Sequence, residues 1–172
     1  MTQVLFDGVN VPYEPQFDRV RNFFQNGSNL TNTISLAAAT DKGGFNLSFA
    51  NMDNQGIISN NKFNRKTVNL GFAYDLSSKL SFTGNVNYSN EYNQNPPNIA
   101  NQDNSIPTAL YNLANSMPLS LLDEKKYDAA GNEFVYSRFR NRTNPYWTIA
   151  EQFQNIRRDR LFGNLALKYN LT

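Results

Sequence analysis

The sequence contains no cysteine and no histidine, and this double absence excludes several classes of protein at once. Without cysteine there are no disulfides, no thiolate nucleophiles and no cysteine-ligated metal sites. Without histidine, the commonest acid–base group and a frequent zinc ligand are also missing. Carboxylates, lysine and tyrosine remain, but no constellation of them stands out. We therefore expect a protein that is not an enzyme and that has neither a metal site nor a cofactor.

Charge is scarce as well. Only 17% of the residues are charged, and the formal net charge of +2 gives no reason to expect nucleic acid as a partner. Aromatic residues nevertheless reach 13%, which argues against disorder, since disordered chains combine few aromatics with high net charge. A chain rich in neutral Asn, Ser, Thr and Gln suits a wide membrane barrel, whose lumen is polar and whose outer band is apolar with aromatic girdles.

Long hydrophobic runs are absent, and none approaches the ~20 apolar residues that a transmembrane helix needs. The first residues, 1–7, also lack the basic and apolar regions of a secretory signal. An outer-membrane protein must be exported. We therefore expect this chain to be an internal part of a longer exported protein.

A period-two alternation is the strongest pattern that is present, and this spacing sends successive strand residues to opposite faces. Residues 67–76 and 80–89 alternate on either side of a turn at 75–79, which predicts a hairpin. A second hairpin is predicted around a turn at 41–44. Residues 161–171 predict a further strand, about as long as the 9–11 residues of a tilted membrane strand.

The two sides of these strands differ in chemistry, so we expect them to face different surroundings. The apolar side chains predicted to face lipid are Val68, Leu70, Phe72, Tyr74, Leu80, Phe82, Val86, Leu161, Leu165, Leu167 and Tyr169. The polar side chains predicted to face the lumen are Arg65, Thr67, Asn69, Thr83, Asn85, Asn164 and Lys168.

The connections also alternate in length. The turns at 41–44 and 75–79 are short, whereas the segments 51–61 and 92–150 are long. Outer-membrane barrels have the same asymmetry between periplasmic turns and external loops. The predicted fold class is therefore all-β, with antiparallel up-and-down strands of a transmembrane barrel. A soluble β-sandwich gives the same alternation and stays open as the alternative, as a carbohydrate-binding module.

A series of short segments follows a fixed order over most of the chain: NFFQNG at 22–27, TISL at 33–36, FNLSF at 45–49, NQGII at 54–58, NR at 64–65, SKL at 78–80, NYSN at 87–90, NPYW at 144–147 and LKYNLT at 167–172. In their order and spacing, these segments resemble the SusC/RagA family of TonB-dependent outer-membrane transporters from Bacteroidetes.

The resemblance implies a plugged barrel of about 22 strands, of which this chain would supply the first ones. Residues 1–28 would connect the plug to the barrel and form the first external segment. Four strands in two hairpins would occupy 29–93, a long extracellular loop 94–150, and a further strand 151–172.

The function that the resemblance implies is TonB-dependent import of a bulky nutrient, a glycan or a peptide, across the cell outer membrane. A SusD-like surface lipoprotein would cover the barrel from outside. The TonB–ExbB–ExbD system would supply energy through other parts of the longer protein, and outer-membrane lipid would surround the barrel.

Aromatic residues in the long loop are the candidates for contact with the substrate or with a lid protein. They are Tyr136, Phe139, Tyr146 and Trp147. Such rings stack on sugars and anchor protein interfaces. Alternatively, they pack into the loop's own small core. Within the same loop, prolines at 96–97 and at 107 favour an extended start, and residues 109–114 favour a short helix.

Two groups of arginines lie in or beside the loop, Arg138, Arg140 and Arg142 in one and Arg157, Arg158 and Arg160 in the other. At an outer rim they could bind phosphates of lipopolysaccharide, which suit the guanidinium fork. The ordinary alternative is a solvated face or salt bridges. The acidic partners considered for such bridges are Asp123, Glu124, Glu133, Glu151 and Asp159.

Overall fold

A computed structural model of the protein describes residues 1–99, 102–136 and 142–171. Antiparallel β-sheet is the main regular structure among these residues, which confirms the β-rich, antiparallel part of the prediction. The chain divides into two compact units. The helical unit contains the described residues of 1–27, 56–61 and 95–154. The sheet unit contains 28–55, 62–94 and 155–171.

The helical unit combines a small hairpin with short helices. Its elements are β1 (Thr2–Val4), β2 (Asn10–Pro12), α1 (Arg19–Phe23), α2 (Ile106–Asn112), α3 (Leu119–Glu124) and α4 (Pro145–Glu151). The sheet unit consists of five strands, β3 (Ser28–Thr40), β4 (Gly43–Gln55), β5 (Lys62–Asp75), β6 (Leu80–Gln94) and β7 (Asn155–Tyr169). These five strands are neighbours in chain order, as in an up-and-down meander.

Helix α2 shows why the helical unit has a core. Ile106, Ala109, Leu110 and Leu113 are spaced at helical intervals and are all buried. Pro107 lies in the first turn of the helix, where a backbone N–H would have no partner within the helix in any case. The prediction of an extended chain at Pro107 was therefore wrong, whereas the prediction of a short helix nearby is confirmed.

Helix α4 begins at a capped Asn-Pro pair that the sequence reasoning had not interpreted as a helix start. The Asn144 Oδ1 atom accepts a hydrogen bond from the Tyr146 backbone N–H at 3.0 Å, and Pro145 occupies the first turn. The Asn144 Nδ2 atom donates to the Leu122 carbonyl oxygen at 2.8 Å, and Asn144 is completely buried. One side chain thus joins the start of α4 to helix α3.

Both predicted hairpins are present in the sheet unit, β3–β4 and β5–β6. The first turn depends on Gly43, whose φ of +143° lies in a region that favours glycine. A Cβ atom at Gly43 would also lie 2.7 Å from the Tyr74 Cα atom of β5. The β4–β5 connection covers only residues 56–61, because β4 continues to Gln55, so the prediction of a long connection at 51–61 was wrong. The connection between β6 and β7 is much longer and contains helices α2, α3 and α4.

Among the described residues, no helix is long and apolar enough to span a membrane. No group of three or more acidic side chains in the same residues is arranged to hold a metal ion.

Candidate functional site

The pairing register assigns each strand residue of the sheet unit to one of two faces, because directly opposed residues of antiparallel strands project to the same side. We call one of them the apolar face. Its rows, each read from β3 to β7, are Ile34, Phe49, Val68, Tyr88 and Leu161; Leu36, Leu47, Leu70, Val86 and Gly163; Ala38, Phe45, Phe72, Gly84 and Leu165; and Thr40, Gly43, Tyr74, Phe82 and Leu167. Leu80 and Tyr169 form a shorter last row.

The side chains of the apolar face are exposed or half-buried. Every residue in these rows is described, and none of them is buried. Exposure is greatest on the outer strands, where Ile34 is 74% exposed and Leu161 is 72% exposed. An apolar surface of this extent is unusual on a soluble monomer and marks contact with another protein or with lipid. All the side chains that were predicted to face lipid lie on this face, and their contact with lipid stays a prediction.

The opposite side of the sheet, the polar face, carries all the side chains that were predicted to line a lumen: Arg65, Thr67, Asn69, Thr83, Asn85, Asn164 and Lys168. Neutral side chains form a hydrogen-bonded row across its centre. The Asn69 Nδ2 atom donates to Ser48 Oγ at 3.2 Å, and the Asn87 Nδ2 atom donates to Asn69 Oδ1. These amides bond across strands, which fixes their positions on the face.

A row of ion pairs crosses the polar face near the end of the sheet where β6 leads into the β6–β7 connection. Glu91 on β6 lies between two arginines, with Arg65 Nε 3.0 Å from its Oε1 atom and Arg158 Nη1 3.6 Å from its Oε2 atom. The Glu91 side chain is 9% exposed. Glu91 was not among the acidic partners considered from the sequence, because cross-strand neighbours are visible only once the register is known.

The arginines of β7 divide between the two faces. Arg157 lies over the Tyr92 ring, with its guanidinium carbon 5.5 Å from the ring centroid, on the side of the apolar face. Arg158 pairs with Glu91 on the polar face. Asp159 lies on the same side of the sheet as Arg157. It accepts hydrogen bonds from Tyr88 Oη and Asn90 Nδ2, both at 2.7 Å.

The loop arginines are only partly described. Arg142 forms a salt bridge with Asp103, with its Nη1 atom 3.3 Å from the Oδ1 atom. Arg138 and Arg140 lie outside the described residues, as does the aromatic candidate Phe139.

The described aromatic candidates of the loop pack within the helical unit. Tyr146 makes an edge-to-face contact with Phe23, with the ring centroids 5.1 Å apart. Tyr136 contacts Phe6 in the same way at 6.3 Å, and burial raises the pKa of its hydroxyl to about 12. The Trp147 Nε1 atom is buried and has no hydrogen-bond partner among the described residues. Contact of these rings with a substrate or a lid stays a prediction.

A polar cleft of about 570 Å³ opens in the helical unit. Amide side chains make up much of its wall: Asn95, Asn98, Gln102, Asn104, Gln152 and Gln154. We call it the amide cleft. Helices α2 and α4 contribute Ile106 and Thr148 to the same wall, and the ring of Phe153, which is 79% exposed, lies beside them.

Hydrogen bonds between the amides hold this wall together. The Asn98 Nδ2 atom donates to Asn104 Oδ1 at 2.9 Å and also to Gln102 Oε1. The Asn104 Nδ2 atom then donates to Gln152 Oε1 at 3.0 Å. Asn95 closes the neck of the loop, because its Oδ1 atom accepts from the Gln154 backbone N–H at 2.9 Å. The wall is thus built from side chains whose orientations are already fixed.

The amide cleft was not predictable from the sequence. Its amides come from two segments far apart in the chain, 95–104 and 152–154, and they follow no periodic pattern. In a chain rich in Asn and Gln, a local excess of amides carries little information. Only the folding of the long connection back on itself brings these amides together.

No family model matches this chain, and no curated protein matches it.

Proposed function

We propose that this chain forms part of an outer-membrane, TonB-dependent transporter similar to the SusC/RagA family, which imports a bulky nutrient such as a glycan or a peptide. The observation that supports the proposal best is the apolar face, which extends across all five strands of the sheet unit and whose described residues are all exposed or half-buried. Lipid is the surrounding that suits such a face, since contact with lipid tails costs these side chains nothing.

The dimensions of the apolar face agree with this proposal. From Leu161 to Tyr169, the two ends of the face on β7, a strand rises by roughly 27 Å at about 3.4 Å per residue. With the tilt of roughly 40° that membrane strands adopt, this length covers about 21 Å of membrane thickness. The apolar band of outer-membrane barrels is ~25 Å tall. Tyr88 and Tyr169 lie near opposite ends of the face, where amphipathic rings favour the membrane interfaces.

The edges of the sheet support a larger barrel. Within the described part of the chain, β3 pairs only with β4, and β7 pairs only with β6. An unpaired strand edge cannot be placed in lipid, because its backbone N–H and C=O groups would have no partners. We therefore propose that further strands of a longer protein pair with these edges and close the barrel.

The proposed barrel places the polar face towards a wet lumen. The amide row of Asn69 and Asn87 and the paired charges around Glu91 are suited to water and to a plug domain. The long β6–β7 connection would lie outside the cell, as the long loops of such barrels do. A SusD-like lipoprotein outside and the TonB–ExbB–ExbD system inside are proposed as partners on the resemblance alone.

The rival proposal, a soluble β-sandwich that binds carbohydrate, needs a second sheet to cover the apolar face. The only other sheet among the described residues is β1–β2, with three residues in each strand, and it belongs to the helical unit. A hairpin of that size is too small to cover five strands of 13 to 15 residues. The transporter is therefore the better supported of the two.

Arginine substitution on the two faces tests the proposal. In the complete protein reconstituted in lipid vesicles, Leu70→Arg is expected to lower the free energy of unfolding by ~2–4 kcal/mol, the cost of an arginine near the bilayer midplane. The matched control is Asn85→Arg on the polar face, beside the open space above Gly71, where the loss is expected to stay below about 1 kcal/mol.

Guanidinium titration followed by circular dichroism of the β-sheet measures both variants. Equal losses for Leu70→Arg and Asn85→Arg would contradict the assignment of the apolar face to lipid. A protein that stays monomeric in water without detergent and does not enter vesicles would favour the sandwich instead.

A further inference from the structure

We infer that the amide cleft of the helical unit is a binding site for a short stretch of neutral glycan. The inference rests on the proposed function. It deepens that function by choosing a glycan over a peptide as the ligand and by assigning the ligand a binding site. The volume of about 570 Å³ falls within the roughly 300–1,000 Å³ of small-ligand sites.

The charge of the cleft points to a neutral ligand. Glu151 is the one ionisable residue among the described residues of its wall, and its Oε1 atom already accepts a hydrogen bond from Tyr127 Oη at 2.7 Å. Within 1–99, 102–136 and 142–171, the wall therefore offers no cation to bind a phosphate, sulfate or carboxylate group. An acidic sugar or an acidic peptide would lose its water shell there without gaining a counter-charge.

The hydrogen-bonding groups of the cleft suit hydroxyl groups. Gln102 and Gln152 each accept a bond through the side-chain oxygen, which leaves the Nε2 atom of each without a partner among the described residues. Asn98 donates through its nitrogen, and its Oδ1 atom has no such partner either. A sugar hydroxyl both donates and accepts, so neighbouring hydroxyls can bond to both kinds of group.

A buried hydroxyl in the wall adds a second indication. Thr148 of α4 is 8% exposed, and its Oγ1 atom has no hydrogen-bond partner among the described residues. A buried polar atom without a partner costs stability and is uncommon in native proteins. Thr148 is thus a residue of the cleft wall whose hydroxyl finds no partner within the described part of the chain.

Phe153 supplies the apolar surface that sugar recognition needs. Its ring is 79% exposed, although it lies two residues after the end of α4 and in the wall of the cleft. An aromatic face packs against the C–H groups of a sugar ring, and the polar groups around it fix the orientation of the ligand. Tyr136 and Tyr146 are less available for this contact, since both pack against phenylalanines of the helical unit.

A peptide is less well suited to the cleft. Two common ways to bind a peptide are pairing with an exposed strand edge and placing its charged groups opposite fixed charges. The wall of the amide cleft comes from loops and from helices α2 and α4, and the one carboxylate among its described residues accepts a hydrogen bond from Tyr127. Neutral glycan is therefore the ligand that the geometry favours.

Calorimetric titration of the complete protein, as used for the arginine variants, in detergent micelles tests the inference. The probes are maltohexaose, cellohexaose, xylohexaose and mannohexaose, with a hexamer of galacturonic acid and a neutral hexapeptide as the competing classes. We expect at least one neutral oligosaccharide to bind and the acidic hexamer and the peptide not to bind. Phe153→Ala is expected to weaken that binding by roughly tenfold, and Gln102→Leu by a similar factor.

Tyr111→Ala is the matched control, because Tyr111 is also an exposed aromatic, at 88%, but is not part of the cleft wall. It should leave the affinity unchanged. The fluorescence of Trp147, the single tryptophan, checks that each variant remains folded. Absence of binding by every neutral oligosaccharide would overturn the inference, as would binding that Phe153→Ala and Gln102→Leu do not weaken, or preference for the peptide.

The outcome is separable from that of the proposed function. If no glycan binds but Leu70→Arg is far more costly in lipid than Asn85→Arg, the cleft assignment fails and the membrane barrel stands. If a glycan binds but the two arginine variants behave alike, the cleft assignment stands and the barrel fails.

Discussion

The two units of the molecule bury opposite kinds of side chain. Every buried hydrophobic residue among those described belongs to the helical unit, with Leu122 at 0% exposed and Leu110 at 3%. In the sheet unit, the buried residues are Ser89 and Glu91, and its leucines and aromatics are exposed or half-buried. One unit thus buries its apolar side chains in a core, whereas the other leaves them on its surface.

The difference follows from what each unit needs in order to fold. The helices of the helical unit are 5 to 7 residues long, too short to be stable alone, so packing and side-chain bonds must hold them. Arg19 is an example, since its guanidinium donates to the carbonyl oxygens of Leu113, at 2.8 Å, and Ala114. The sheet satisfies its backbone through strand pairing and needs no buried apolar core to do so.

Among the variants that test this difference between the two units, Leu122→Ala is expected to have the largest effect on stability. Removing a fully buried leucine leaves a cavity, and we expect the helical unit to lose about 2–5 kcal/mol of stability. Trp147 lies in α4 of the same unit, so urea unfolding followed by its fluorescence measures the loss. Leu167→Ala, on the apolar face, is the control and should leave the Trp147 transition in place. Equal losses from both variants would break the comparison.

A smaller effect is expected from a glycine pair in the sheet. A Cβ atom at Gly163 would lie 3.0 Å from the Val86 Cα atom and would meet the Asn85 carbonyl oxygen, whereas a Cβ atom at Gly71 meets nothing within 4 Å. Gly163→Ala is therefore expected to cost about 1–3 kcal/mol. Gly71→Ala should be neutral, or stabilising by up to about 1 kcal/mol.

Thermal unfolding of the reconstituted protein followed by circular dichroism separates the two glycine variants. If Gly163→Ala is as well tolerated as Gly71→Ala, then β6 and β7 are not packed as closely as the sheet unit requires, and the described register would be in doubt.

The smallest expected effect is a change in the pH dependence of the stability of the helical unit. Burial, followed by the nearby carboxylate of Glu133, raises the pKa of Tyr136 to about 12, against about 10 in an unfolded chain. The folded state therefore holds this proton more tightly. Its contribution to stability is complete below about pH 10 and is lost as the pH rises through about 12.

Tyr136→Phe should reduce this alkaline loss of stability. The urea midpoint, measured at several pH values between about 9 and 12, is the readout. Tyr111→Phe, at an exposed position, is the control and should follow the unmodified protein. An alkaline loss that persists in full in Tyr136→Phe would show that the Tyr136 hydroxyl is not buried in the helical unit.

The sheet was largely predictable because its information is local. Alternation places Val68 and Thr67 on opposite sides whatever their partners are, and the turn residues at 41–44 and 75–79 join the strands into hairpins. The sorting of the predicted lipid-facing and lumen-facing residues onto two separate faces follows from the same parity. The pairing of Glu91 with Arg65 and Arg158 was not predictable, because it depends on the register of three strands.

The helical unit was poorly predictable for the opposite reason. Helices of 5 to 7 residues carry less than two turns of periodic signal, and the capping role of Asn144 becomes visible only with Leu122 beside it. The predicted aromatic candidates were chosen by residue type, and the fold packs Tyr136 and Tyr146 against Phe6 and Phe23. The amide cleft was missed entirely, since its segments meet only through long-range folding.

The sequence by itself determined the strands, their turns and the two-sided chemistry of the sheet, because the side-chain period of a strand is a property of the backbone. Tertiary structure alone decided which side chains of the long connection are buried, which amides bond to one another and where Phe153 remains exposed. Those outcomes depend on contacts between residues far apart in the chain, and no local pattern encodes them.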